Sequence, residues 1–406
     1  YDLTVEVQPE SHTLVVDAIV QFRIVGEDKG WVRFDLNAQE IFSVRDQTRE
    51  PLNFHQTQGL LYVEIPSLAD KDALLEVAVS YDRVVIGGFG DRIWEQIDPE
   101  GTYVREYTGW YPLVKGDRAT ADFRFIVPEG ETVVTCGAYQ GEVVLADGRT
   151  AQAWSTDMPI ASIGFACGKY VVSHVEGEDF DVQAYLYEED ADRAEEYLEL
   201  CGEALTLYSD LFGPYPYAKF AVVEIPVGYG GGMGHQSFIM LFERGFKGEP
   251  DEIFWSHEIS HNWWGHYVSV DRSFGSWLSE GMATYSSLLF FEHKYEKQVF
   301  LEKLHWAAEK YLIQAETSEM PLRYASDTIV AYYKGAYFFH MLRYVVGDEV
   351  FWGILRKLVA VHGGGGRIDP RIFQEVSEEE AGTDLDWFFT QWLDRTGAPR
   401  YEVAWE

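Results

Sequence analysis

Apolar and polar residues alternate along the first half of the chain. Leu3, Val5 and Val7 are spaced by polar positions, and Leu14, Val16, Ala18, Val20, Phe22 and Ile24 continue the pattern over a longer run. Phe123, Phe125 and Val127 repeat it before a Pro-Glu-Gly turn. Successive side chains of a strand leave opposite faces, so a period of two bounded by Gly, Pro, Asp and Asn predicts half-buried strands. The expected architecture for residues 1–173 is an antiparallel β-sandwich or saddle-shaped sheet.

The period then changes. Ala194, Tyr197, Leu198, Cys201, Leu205 and Tyr208 fall three or four apart and predict a helix that ends before Gly-Pro-Tyr-Pro. Lys219–Pro226 reads as a buried strand and Ser237–Phe242 as another, with the glycine-rich stretch Gly228–Gly234 between them. Beyond Asp251 the pattern is almost wholly helical, and the four-glycine stretch within His362–Pro370 reads as a loop between helices. The chain is therefore expected to be α+β and multidomain, with a β domain over 1–173 and a mostly helical domain over 174–406.

Composition narrows the classes. With 47% hydrophobic and 16% aromatic residues, the 406-residue chain can bury large cores. No stretch approaches the ~18 uninterrupted apolar residues of a membrane span. The formal charge of −35 repels phosphates and excludes nucleic acid as a partner. It leaves either a well-solvated acidic surface or an attraction for cationic peptides. Three cysteines without a Cys-x-x-Cys spacing indicate neither a disulfide framework nor a cysteine metal site. The chain opens on Tyr1, as expected of a processed or trimmed protein, so cytoplasmic and extracytoplasmic locations both stay open. Oligomeric state is not legible.

The strongest chemical signal is His257-Glu258-Ile259-Ser260-His261. Residues four apart on a helix share a face, so both imidazoles can converge on one metal ion. Glu258 then stands beside the ion, where it can deprotonate a water. The bland alternative is a surface histidine pair on an acidic helix. Against it, Glu280 follows His261 after eighteen residues, in an aromatic and small-residue setting where a carboxylate needs a partner. Two histidines and a carboxylate supply the three protein ligands of a catalytic zinc site.

The block from His257 to Tyr285 resembles the zinc signature of the aminopeptidase N and leukotriene hydrolase family, the gluzincins. The resemblance extends to Tyr1–Phe22, Trp110–Gly130, Trp154–Val172 and Phe388–Val403. It implies a thermolysin-like catalytic domain binding one Zn2+ per chain through His257, His261 and Glu280. It also implies Glu258 as general base and proton shuttle. The family's Tyr-x-Lys-Gly falls on Tyr332, Tyr333, Lys334 and Gly335, making Tyr332 the stabiliser of the oxyanion; without the resemblance Tyr332 reads as a core aromatic. The implied substrate is a peptide or protein.

The glycine-rich stretch lacks the spacing of a phosphate loop and is flanked by apolar strands, which does not suit a slack linker. It matches the family's Gly-x-Met-Glu-Asn, an edge strand lining the cleft, at Gly231, Gly232 and Met233. The last two positions are Gly234 and His235 instead. The Glu replaced by Gly234 is the residue that holds a substrate's free amine in the family. Glu106 is a candidate for a second amine-binding position, although a generic surface Glu is the simpler reading. His235 is a candidate substrate contact, or a turn histidine with no ligand role. His266 replaces a family Asn. Longer family members continue into further domains that roof the cleft, so a more open cleft is expected here. Aminopeptidase, endopeptidase and a zinc-retaining peptide-binding module without turnover remain the alternatives.

Overall fold

The computed structural model describes every residue except 24–29, 66–72, 86–94, 227–231, 316–319, 398–403 and 405–406. Ile24 and Gly228–Gly231 of the sequence reading lie outside the described residues. The chain forms two compact units, Tyr1–Glu195 with Tyr217–Glu249, and Glu196–Pro216 with Pro250–Glu406.

The first unit is built of sheets. A seven-stranded sheet contains Asp2–Gln8, Thr13–Arg23 and Asp122–Val127, and four-, three- and five-stranded sheets accompany it. Leu3, Val5, Leu14, Val16, Phe125 and Val127 are fully buried, as the alternation requires. One expectation is corrected. Asp2–Gln8 pairs antiparallel with Thr13–Arg23 but parallel with Asp122–Val127. Parallel neighbours need a long connection between them, and here more than a hundred residues intervene. Periodicity reports which face a residue takes, not which strand lies beside it.

The five-stranded sheet runs Val171–Val175, Asp181–Leu186, Lys219–Ile225, Phe238–Phe242 and Gly232–His235. Every residue of Lys219–Ile225 is buried, as befits a central strand with parallel neighbours on both sides. Gly232–His235 stands at the edge of this sheet, paired antiparallel with Phe238–Phe242. Its partner strand begins after a tight turn in which Ser237 adopts φ 68°.

The second unit is helical. Most of α1 (Ala194–Phe212) belongs to it, with α2 (Glu252–Ser260), α3 (Trp277–Lys294), α4 (Lys297–Ala315), α5 (Gly335–Val346), α6 (Asp348–His362), α7 (Pro370–Ala381) and α8 (Asp386–Phe389). The late glycine-rich loop carries a short strand, Arg367–Ile368, paired in parallel with Ser269–Val270. No helix among the described residues is long and apolar enough to cross a membrane.

Candidate metal centre

Three local devices place α2. Asp251 caps it, its Oδ1 accepting the Phe254 N–H at 3.2 Å. The Tyr208 hydroxyl of α1 lies 3.0 Å from the Ser256 carbonyl and 2.9 Å from that of Ser286, pinning α2 and α3 to one buried phenol. Trp263 donates its indole N–H to the Gly213 carbonyl at 3.0 Å, fixing the turn that follows α2.

The helical period then does what the spacing predicts. The His257 and His261 rings stand 4.8 Å apart, edge to face. Glu280, in the first turn of α3, brings Oε2 to 3.4 Å from His257 Nε2 and 3.3 Å from His261 Nε2. One ligand atom from each of the three residues lies within 4.8 Å of the other two.

Each imidazole is held by its far nitrogen. His261 Nδ1 donates to the Trp264 carbonyl at 2.9 Å, and His257 Nδ1 is 3.5 Å from Thr284 Oγ1. Thr284 donates its own hydrogen to the Glu280 carbonyl at 2.7 Å, so its oxygen is left to accept from His257. Both Nε2 atoms are thereby turned toward Glu280. Such outer partners fix tautomer and orientation in histidine metal sites. Sequence reasoning missed both. Thr284 had a signal, standing four residues after Glu280 on the same helix face, whereas a backbone carbonyl has none.

The electrostatics fit a cation. Burial works against a protonated His261, but the charge and hydrogen bond of Glu280, reinforced by Glu258, raise its pKa to about 9. Burial likewise disfavours the Glu280 carboxylate, yet His261 and then His257 outweigh it and depress its pKa far below the ordinary range. Glu280 Oε2 is buried, and the two Nε2 atoms at 3.3–3.4 Å are its polar neighbours, at the long end of hydrogen-bond reach. A divalent cation would satisfy that oxygen and both nitrogens together, and this donor set suits zinc.

Tyr332 comes from a π-helical segment, Thr328–Lys334, capped by Asp327 through the Val330 N–H at 2.9 Å. Its ring stacks on His257 with centroids 5.5 Å apart and planes 2° apart. Burial, then Glu280, then Glu258 push its phenol pKa well above the usual value, so it stays protonated as a donor. Glu258 is half-buried on α2, and its charge acts on both His261 and Tyr332.

The other candidates lie in the first unit. Gly232, Met233 and Gly234 occupy the edge strand, with Met233 buried, and Gly231 lies outside the described residues. His235 is 2% exposed, its ring stacked on Phe238 at 4.7 Å and its Nδ1 2.6 Å from Glu106 Oε2. A side chain at Gly164 would come within 2.8 Å of that ring, so the imidazole fills a socket. Glu106 is not a generic surface residue. Its side chain is 15% exposed and held by His235.

Fold and geometry together define a class of site: two histidines and a carboxylate gathered from adjacent helices, able to hold a metal ion, with a second carboxylate and a phenol beside them. Residues 196–392 match the model of the Peptidase family M1 domain. Aminopeptidase M1 of Arabidopsis thaliana is 24% identical over 251 residues, covering 57% of this chain and 28% of that protein. Aminopeptidase M1-D of Oryza sativa subsp. japonica is 26% identical over 249 residues, covering 56% and 28%. The chain thus spans less than a third of the length of these curated relatives. An M1 zinc metallopeptidase of Deinococcus radiodurans shares the fold over 98% of this chain and 94% of its own, at TM-score 0.82 and 20% identity. A structure of that Deinococcus radiodurans enzyme with a Tyr-Ser-Ala substrate aligns at TM-score 0.81, with 20% identity and coverage of 98% and 94%.

Proposed function

We propose that the chain is a zinc-dependent metallopeptidase that hydrolyses peptide bonds with an activated water, acting as an aminopeptidase. The observation that carries this reading is the convergence of His257, His261 and the buried Glu280 carboxylate beside Glu258 and Tyr332. His257, His261 and Glu280 hold the ion. When bound, zinc supplies a Lewis acid that polarises the scissile carbonyl and acidifies water toward neutral pH. Glu258 takes the proton of the attacking water and passes it to the leaving amine. Tyr332 donates a hydrogen bond to the oxygen that becomes charged only in the transition state.

The edge strand is proposed as the substrate platform through Gly232, Met233 and His235, with Gly231, which precedes it in sequence, as a further substrate-binding residue. An edge offers main-chain groups that can pair with an extended peptide, and glycine permits close approach of the two backbones. The five-stranded sheet beginning at Val171 shares no strand with the earlier sheets and lies with them in the first compact unit. The Glu106 carboxylate, held by His235, supports recognition of a free amine. The plant relatives' names point the same way.

A second reading, endopeptidase action, is favoured by Gly234 standing where the resemblance expects the amine-binding Glu. One assay separates the two. Protein carrying about one zinc per chain, as the reading requires, is given free-amine aminoacyl reporters and amino-blocked, internally quenched peptides. Cleavage of the free-amine reporters alone is the expected result. Cleavage of blocked peptides would establish the endopeptidase. Silence on both would leave a zinc-retaining peptide-binding module.

A further inference from the structure

Two glycines meet where α3 crosses the start of α5. A Cβ on Gly281 would come 2.8 Å from Gly335 Cα and 3.1 Å from the Ala331 carbonyl oxygen. A Cβ on Gly335 would come 2.9 Å from Gly281 Cα. Both positions are buried within helices, where glycine weakens the helix relative to alanine. Gly202 of α1 meets nothing within 4 Å, so close packing is not general to the helical glycines of this fold.

The position of this contact is what matters. Gly281 directly follows Glu280, and Gly335 ends the π-helical segment that carries Tyr332 three residues earlier. The segment is tied at its other end by the Asp327 cap, and beside Gly335 by Lys334, whose Nζ donates to the Arg395 carbonyl at 3.3 Å. Tyr332 therefore has little freedom of its own, and its distance from Glu280 and His257 follows from how closely the two backbones approach.

We infer that the Gly281–Gly335 contact is a positioning device for Tyr332, setting the reach of its phenol toward the reacting carbonyl. This rests on the hydrolytic role proposed for Tyr332. Carbon atoms pack at about 3.5–4.0 Å, so a methyl group at either glycine requires the backbones to separate by roughly 1 Å. A displacement of that size at a catalytic group can cost about a hundredfold in rate. The separation carries the segment that holds Tyr332 away from α3, while the metal ligands stay on α2 and α3.

The test is a double-mutant cycle of Gly335→Ala with Tyr332→Phe, with Gly202→Ala as a helix control that leaves kcat unchanged. Gly335→Ala is expected to keep its zinc and its cooperative thermal transition, and to lower kcat by about tenfold or more with KM little changed. In the Tyr332→Phe background it should add no further loss. A crystal structure of the metal-free variant should show the Tyr332–His257 ring separation widened from 5.5 Å. Gly281→Ala approaches the same contact from α3 and should give the same pattern. Full additivity with Tyr332→Phe, an unmoved ring, or failure of both alanine variants to fold would overturn the inference. An inactive parent enzyme would instead overturn the hydrolytic reading, and the ring separation would still decide whether the contact positions Tyr332.

Discussion

The Tyr332 ring lies flat on the His257 ring, 5.5 Å between centroids and 2° from parallel. The stack fixes the phenol through its aromatic body, and the hydroxyl hydrogen-bonds to Glu280. Tyr332→Phe keeps the stack and removes the donor. It should lower kcat by about 10²–10³ with KM little changed, since the lost hydrogen bond belongs to the transition state. Steady-state kinetics on the reporter that the parent cleaves reads this directly. A rise in KM with kcat intact would assign Tyr332 to substrate binding.

Glu258→Gln retains size and helix position but cannot accept the proton of water. The variant should hold its metal, because Glu258 is not among the three clustered ligands. Its hydrolysis should fall by roughly 10²–10⁴ or more, the scale of a general base. Metal analysis and activity on the same preparation test both halves. Near-normal rates would show that another group activates the water.

Thr284 links the two helices of the metal centre, donating to the Glu280 carbonyl and offering its oxygen to His257. Thr284→Val preserves shape and removes that acceptor. Zinc affinity measured by chelator competition should weaken about 10- to 100-fold. Thr284→Ser should recover most of it, since the hydroxyl rather than the methyl holds the imidazole.

Lys219 is buried in the first unit, between Trp154 and Phe238, and donates to the Thr135 carbonyl at 2.9 Å. Burial lowers its pKa to about 8, below the unfolded value near 10.5. Between those values the unfolded chain binds more protons than the native one, so this group's destabilising effect is full below pH 8 and fades above it. The wild type should therefore gain stability relative to Lys219→Met as pH rises from 7 to 9, by roughly 1 kcal/mol. Denaturant unfolding of the two proteins at both pH values measures the difference, and the tyrosines common to both cancel. A constant difference would mean that Lys219 titrates normally.

By itself the sequence determined everything that a local period can carry. Alternation placed Leu3, Val5 and Phe125 in a sheet core, and the four-residue spacing put His257 and His261 on one helix face. The distant Glu280 was legible because its residue type and spacing suit a third ligand. The tertiary structure decided what depends on which segments meet. It chose the parallel neighbour of Asp2–Gln8, and it turned the imidazoles with Thr284 and a backbone carbonyl that leaves no trace in residue type. It joined His235 to Glu106 across 129 positions, a pairing no local window can contain. It also set Gly281 against Gly335. Local sequence fixes the direction in which a side chain leaves its own backbone; what it meets is fixed only when distant segments pack.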